Sequence, residues 1–294
     1  MLSFDQAVPR RLVHRKSTSE VLPTDFVRWG DREYIAGLQW PRRHGFFDAA
    51  ARDSALVTES IRQLTILTCH RGFDVPFDHR FLMTGLGFAV HGAPRTARPD
   101  SAIELHGTVR AVRLGRTPRG ALRSARFDIV LRTPDGSTVA SGHGDALVVG
   151  PAAYARIRGE RAGSPPPSAR RGPLVPPAAV GRTADEDVLL LRSDGGLEID
   201  VDRGHPIFSD HPLDHVPGAA LIEACRQAAR VEAGDPGLEL AEFEGGFRRL
   251  VEFDAPAAIR LSSRAGRTSF EITQRGRTAM TAEATLASAP VPAR

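Results

Sequence analysis

Apolar positions recur at helical spacing in two stretches of the chain and read as strands through most of the remainder. The first helix is expected over Arg52 to His70, with Asp53 or Ser54 as its N-cap and Gly72 as its stop. A strand over Glu33 to Trp40 precedes it. Three strands follow, Phe81 to Val90, Ala102 to Leu114 and Ala121 to Leu131. The last of these turns at Pro134-Asp135-Gly136 into Ser137 to Val149, a hairpin signal. The second half repeats the order. Asp187 to Arg192 and Leu197 to Val201 form a hairpin around Ser193-Asp194-Gly195-Gly196, and a helix from Gly218 to Glu232 is stopped by Gly234. Strands are expected at Leu238 to Glu244, Phe247 to Phe253, Ala257 to Ser263, Ser269 to Gln274 and Thr278 to Leu286. One long helix followed by an antiparallel meander, met twice, predicts an α+β protein in which each helix lies against a curved sheet.

The two helices carry the same phrase. Glu59-Ser60-Ile61-Arg62-Gln63 and Glu223-Ala224-Cys225-Arg226-Gln227 are 164 residues apart (223 − 59), each preceded by an apolar run. An acid, a guanidinium and an amide at i, i+3 and i+4 share one helical face, the face a helix normally buries. Charges placed there are costly unless paired or used. The bland account is a buried ion pair in each half; the functional account makes Glu59, Arg62, Glu223 and Arg226 catalytic, with Gln63 and Gln227 against substrate. Between the halves, Ser164-Pro165-Pro166-Pro167-Ser168, Pro173 and Pro176-Pro177 read as an extended linker. The expected organisation is an N-terminal domain over 1–157, a linker over 158–181 and a C-terminal domain over 182–294.

Composition narrows the function classes. With 41% hydrophobic and 25% charged residues, the 294-residue chain has the balance of a soluble globular protein. No apolar stretch approaches the roughly 18 residues that span a bilayer, and Met1 to Lys16 lacks the apolar core of a signal peptide. A cytoplasmic location with no membrane partner is expected. Lys16 is the only lysine, so every other basic residue is arginine. Codon bias in a GC-rich genome explains that plainly; selection for bidentate phosphate or carboxylate recognition is the alternative. No basic run is interleaved with aromatics, which argues against nucleic acid. Cys69 and Cys225 have no metal-type spacing and read as small buried hydrophobes.

Chemistry concentrates ahead of the second helix, in His205-Pro206-Ile207-Phe208-Ser209-Asp210-His211-Pro212-Leu213-Asp214-His215-Val216-Pro217-Gly218. The Gly218 amide opens the helix, where free N–H groups and the dipole favour a developing oxyanion such as that of an attacked thioester. A structural loop and a metal site built from Asp210, His211, Asp214 and His215 are the other readings; no metal or other cofactor is expected. The first half has Trp40-Pro41-Arg42-Arg43-His44-Gly45-Phe46-Phe47-Asp48 at this place, without the Pro-Gly entry.

The pattern Pro217-Gly218-x4-Glu223-x3-Gln227, followed by Phe247-Arg248-Arg249-Leu250-Val251, resembles hotdog-fold acyl-carrier dehydratases. Their histidine stands fourteen residues before the helix glutamate (223 − 14), where this chain has Ser209. A closer resemblance covers nearly the whole chain. Phe4-Asp5-Gln6-x-Val8-Pro9-Arg10-Arg11-Leu12-Val13-His14-Arg15, Gln39-Trp40-Pro41, Glu59-x2-Arg62-Gln63 and Asp210-His211-Pro212-x-Asp214-His215-Val216-Pro217-Gly218 resemble the A-factor biosynthesis family. That resemblance implies a tandem hotdog fold, each unit a sheet wrapped around a central helix. It also implies an acyltransferase that moves a beta-ketoacyl group from acyl carrier protein to dihydroxyacetone phosphate, in the making of a gamma-butyrolactone or butenolide signalling molecule. The phosphorylated ester then closes by an aldol-type step. The alternative within the fold is a thioesterase or hydratase, and a non-catalytic acyl binder lies outside it.

For that chemistry Glu223 is the expected general base, its pKa raised by burial. Arg226 holds Glu223 or grips the phosphate, the Gly218 N–H takes the oxyanion, and Arg248 and Arg249 receive the phosphate or the acidic carrier. In paired hotdogs the loop of one unit commonly faces the helix of the other. His44 and Asp48 are therefore expected near Glu223 and His211 near Glu59, the two histidines as catalytic residues and Asp48 and Asp210 against substrate, in a monomeric pseudo-dimer or a homodimer.

Overall fold

The computed structural model describes residues 2–48, 53–92, 102–161, 172–211 and 213–288, which form two compact units, 1–159 and 160–294. In the first unit, β1 (Pro23–Arg28), β2 (Glu33–Trp40), β3 (Arg80–Val90), β4 (Ile103–Arg116), β5 (Leu122–Arg132) and β6 (Thr138–Val149) pair antiparallel in the order β1-β2-β4-β5-β6-β3. Helix α1 (Ser54–Phe73) packs on β1, β2, β3, β5 and β6, and the short helix α2 (Pro151–Arg158) follows the sheet. The second unit has β7 (Leu190–Ser193), β8 (Gly196–Ile199), helix α3 (Gly218–Ala233), β9 (Leu238–Phe247), β10 (Ala257–Arg264), β11 (Arg267–Gln274) and β12 (Arg277–Ser288). Its strands pair antiparallel in the order β7-β8-β10-β11-β12-β9, the order of the first unit element for element. This is the expected α+β arrangement, built twice.

Each helix starts and stops for identifiable reasons. The Asp53 carboxylate accepts from the Ala55 N–H at 2.9 Å and caps α1. α3 begins after Pro217 and ends on Gly234, whose φ of 64° is the left-handed conformation glycine adopts without strain. α1 does not stop at Gly72. Asp74 takes the left-handed position with φ 52°, and Gly72 stays helical because the Tyr34 ring lies on it, 2.7 Å from where a Cβ would stand. Leu56, Ile61, Leu64 and Leu67 of α1 and Leu38, Leu105, Phe127, Ile129 and Leu131 of the sheet are all buried in the core. The seat of α1 on β6 is two glycines: a Cβ on Gly142 would meet Ile61, and one on Gly144 would meet the Thr65 hydroxyl.

One strand is unexpected, and two further expectations are corrected. β1 lacks a strong alternating signal because only its first residues, Pro23 and Thr24, are buried at an edge position. Phe247 to Phe253 is not a strand: Phe247 closes β9, and the Arg248 and Arg249 amides both donate to the Ala279 carbonyl as the chain turns off the sheet. Residues 162–171 of the expected linker lie outside the described residues. Its remainder is packed: Val175 and Val180 are fully buried, and Pro177–Val180 form a 3₁₀ turn of the second unit.

Gly144→Ala should destabilise the protein by about 1–3 kcal/mol through overpacking against Thr65. Urea unfolding checks this, and the Gly144→Ala/Thr65→Ala double variant should recover part of the loss.

Candidate active site

The acid–guanidinium pairs sit where the helices are buried, and each is completed by an arginine from far along the chain. Glu59 receives Arg62 Nε at 2.8 Å and Nη2 at 2.8 Å, Arg15 Nη2 at 2.7 Å and Gln63 Nε2 at 2.6 Å. Glu223 accepts from Arg226 Nε at 2.8 Å, Arg182 Nη2 at 2.8 Å and Gln227 Nε2 at 2.9 Å, and Arg226 Nη2 forms an ion pair with it at 2.7 Å. Burial alone would raise both carboxyl pKa values, but the guanidiniums outweigh it. Arg15 and Arg62 hold Glu59 at about 2, and Arg182, Arg226 and Arg230 hold Glu223 still further below the ordinary carboxylate range. The expectation of a raised Glu223 pKa is therefore reversed. An ionised carboxylate with both oxygens saturated by donors is a poor proton acceptor.

Arg15 and Arg182 belong to a longer internal repeat that the helix phrase alone does not reveal. Val8-Pro9 and Val175-Pro176 lead into the 3₁₀ turns Arg10–Val13 and Pro177–Val180. His14 (φ 52°) and Gly181 (φ 66°) then reverse the chain, and the Arg15 and Arg182 amides donate back to the Arg10 and Pro177 carbonyls. Five residues on, Glu20 and Asp187 end equivalent short turns. Gln63 accepts from the Leu22 N–H at 2.9 Å and donates to the Glu20 carbonyl at 2.7 Å. Gln227 accepts from the Leu189 N–H at 2.9 Å and donates to the Asp187 carbonyl at 2.8 Å. Both amides are spent on their own chain, so neither is placed to bind substrate as expected.

The same acids pin the loops ahead of the helices. His44 Nδ1 accepts from the Phe46 and Phe47 amides at 3.0 and 3.2 Å, which leaves its proton on Nε2, 3.3 Å from the Glu20 carboxylate. His205 repeats this with Ile207 and Phe208 at 3.0 and 3.2 Å and with Asp187 at 3.1 Å. His44 thus has no nitrogen left for acid–base work, contrary to the expectation that it is catalytic. Asp48 is exposed, its amide bonded to the Asp53 carboxylate at 2.8 Å.

In the second unit the loop between His205 and Gly218 keeps more chemistry. Asp210 and His211 are half-buried there, and Gly218 opens α3 with amides that have no partner inside the helix. His215 Nδ1 lies 2.7 Å from the Asp214 carboxylate, so that its Nε2 is the nitrogen left to accept a proton. Asp78–His79 has the same local geometry on the surface; what distinguishes His215 is its place, three residues before α3. Val216 forms an antiparallel bridge with Val251, which ties this loop to the segment carrying Arg248 and Arg249, both exposed. The thiols Cys69 and Cys225 are buried and pushed well above their ordinary pKa, which suits core residues. Among the described residues no cluster of three or more His, Cys, Asp or Glu has metal-holding geometry, and no helix is long and apolar enough to cross a membrane.

Comparison with known proteins agrees with this architecture. The A-factor biosynthesis hotdog domain matches residues 1–150 and 165–290. A Streptomyces virginiae protein named 2-oxo-3-(phosphooxy)propyl 3-oxoalkanoate synthase is 36% identical over 258 residues, covering 86% of each chain. A protein of the same name from Streptomyces coelicolor is 32% identical over 264 residues, covering 88% of this chain and 83% of its own. An acyl-ACP thioesterase from Bacteroides thetaiotaomicron superposes with a TM-score of 0.52 at 12% identity, over 86% of this chain and 98% of that one, a likeness of fold.

Arg182→Met, which leaves Glu223 half-compensated, should cost about 3–5 kcal/mol in guanidinium unfolding. Acid should act through Glu59. Its pKa of about 2 lies below the ordinary 4.5, so its stabilisation is complete above pH 4.5 and is lost as pH falls toward 2. The thermal midpoint of Glu59→Gln should change less over that window than that of the parent.

Proposed function

The chain belongs to the A-factor biosynthesis hotdog family, and we propose that it makes the ester its relatives are named for. It transfers a 3-oxoacyl group from a thioester to a hydroxyl of dihydroxyacetone phosphate, releasing a free thiol and 2-oxo-3-(phosphooxy)propyl 3-oxoalkanoate. The product is a precursor of a gamma-butyrolactone or butenolide signal. The observation that carries this reading is identity of 36% and 32% spread over more than four-fifths of both chains in each pairing.

His215 is the general base in this proposal. Asp214 fixes its tautomer, and Nε2 takes the proton of the attacking hydroxyl as the oxygen bonds to the thioester carbonyl carbon. The oxyanion forms against the Gly218 amide at the positive end of α3. Collapse of the intermediate breaks the C–S bond, and the departing sulfur recovers the proton from His215. Glu223 and Arg226 hold α3 and the arm in place for this step and do not exchange protons. Glu59 and Arg62 have that role in the first unit. Asp210 and His211 line the approach to His215. The exposed Arg248 and Arg249 suit the acidic surface of an acyl carrier protein, the thioester donor we favour over a free thioester. We place the reaction in the cytoplasm, carried out by a single chain.

Incubation with a 3-oxoacyl thioester should yield the phosphorylated ester by mass spectrometry only when dihydroxyacetone phosphate is present. Thioester loss independent of that acceptor would indicate a thioesterase instead. His215→Ala should lower kcat by about 10²–10⁴-fold with an unchanged thermal midpoint.

A further inference from the structure

One guanidinium of the second unit is held in a way that folding alone does not explain. Arg203 lies in the loop between β8 and α3, two residues before the pinned His205. Its Nε and Nη1 are shielded from solvent and have no hydrogen-bond partner among the described residues. Asp200 and Asp202 attract it through space, and among the described residues no ion pair to it is found. The guanidinium instead lies over the Phe253 ring, 5.7 Å from its centroid. Arg182, Arg226 and Arg230, the inward-facing arginines described near α3, differ in that each is bonded to a glutamate.

The loop is fixed around it. Asp202 accepts from the His205 amide at 3.1 Å and from the Ser209 hydroxyl at 3.0 Å, both through its carbonyl. At the far end of the loop, Val216 is bridged to Val251, two residues from Phe253. Arg203 and the start of α3 are therefore anchored to the same short segment after β9. Two donors held away from water without an acceptor are costly, and each forms a planar fork with Nη2 of the kind that matches a phosphoryl group bidentately.

We infer that Arg203 is the residue that receives the phosphate of the three-carbon acceptor, and so selects a phosphorylated alcohol over an unphosphorylated one. This rests on the acyl-transfer reading above. It assigns Arg248 and Arg249 to the carrier and not to the phosphate.

The test compares Arg203→Gln and Arg203→Lys with the parent on two acceptors, dihydroxyacetone phosphate and dihydroxyacetone. Arg203→Gln should raise the KM for the phosphorylated acceptor by about 10- to 100-fold, the worth of a charged hydrogen bond, and leave kcat/KM for dihydroxyacetone unchanged. Arg203→Lys should fall between the two. Glycerol 3-phosphate should raise the thermal midpoint of the parent and not that of Arg203→Gln. Without ligand, the midpoint of Arg203→Gln should stay near the parent's, because no hydrogen bond or ion pair is removed; a markedly lower midpoint would mark Arg203 as a structural residue and overturn the inference. An unchanged KM in Arg203→Gln, in an enzyme that still forms the phosphorylated ester, would overturn it too while leaving the acyl-transfer reading intact. A parent protein that forms no ester but is stabilised by glycerol 3-phosphate through Arg203 would separate the two in the opposite sense.

Discussion

A buried carboxylate gripped by two guanidiniums, one from its own helix and one from an arm more than forty residues away, sets the rest of each unit. Glu59 reaches Arg15 across 44 residues, and Glu223 reaches Arg182 across 41. Removing any of these charges from water is expensive, and their attraction offsets that cost only when the geometry is complete. The arm cannot detach without stranding a charge inside the unit, so arm and helix stay together or unfold together. Gln63 and Gln227 extend the grip to the arm's backbone on both its donor and acceptor groups. In the second unit Arg230 and Glu239 add a further pair, with Glu239 also bonded to Arg226; the position equivalent to Arg230 in α1 is Ile66.

Rigidity then passes from the arm to the loop that precedes each helix. Glu20 and Asp187 have two duties: their carbonyls accept from the helix glutamine, and their carboxylates accept from the loop histidine. The histidine in turn ties down two loop amides through Nδ1. One chain of contacts thus runs from the buried carboxylate through the glutamine, the arm acid and the histidine to the start of the loop. Catalytic geometry must be held to fractions of an ångström, and the loop bearing His215 and Arg203 is held by this relay at one end and by the Val216–Val251 bridge at the other.

The sequence discloses the local half of this arrangement and hides the distant half. Both helices, the meanders and the repeated acid–guanidinium–amide phrase are legible because their spacing is short and periodic. Arg15 and Arg182 are not, since nothing local tells an arginine in an irregular arm that it points inward. The available signal was the second repeat, Val-Pro followed six residues later by arginine at Arg15 and Arg182, which crosses a segment whose prolines suggest a linker. The direction of the Glu223 shift is hidden for the same reason: burial is readable from an apolar face, whereas the number of cations gathered there is not. Gly72 reads as a helix stop because glycine ends helices often, but glycine also serves where a ring must lie on the backbone. Phe247 to Phe253 has strand composition, and only the shared Ala279 acceptor reveals that the chain has left the sheet.

Comparison of the two units separates framework from chemistry more sharply than either does alone. Arginine, acid, leucine, histidine, glutamate, arginine and glutamine occupy matching places in both, and their bonds match to within a few tenths of an ångström. A residue under that double constraint is explained by the fold, whatever its chemical reactivity, and His44 and Glu59 fall in this class together with His205 and Glu223. Between histidine and helix the units differ: the first passes through Phe46, Phe47 and Asp48, and the second has Asp210, His211, Asp214, His215 and the Pro217-Gly218 entry. Arg203 stands just outside the matched set as well, unpaired where its fellow arginines are paired. Residues that break an internal symmetry, at a cost in solvation, are the ones whose presence the fold does not require, and that is where the reactive groups of this protein are to be sought.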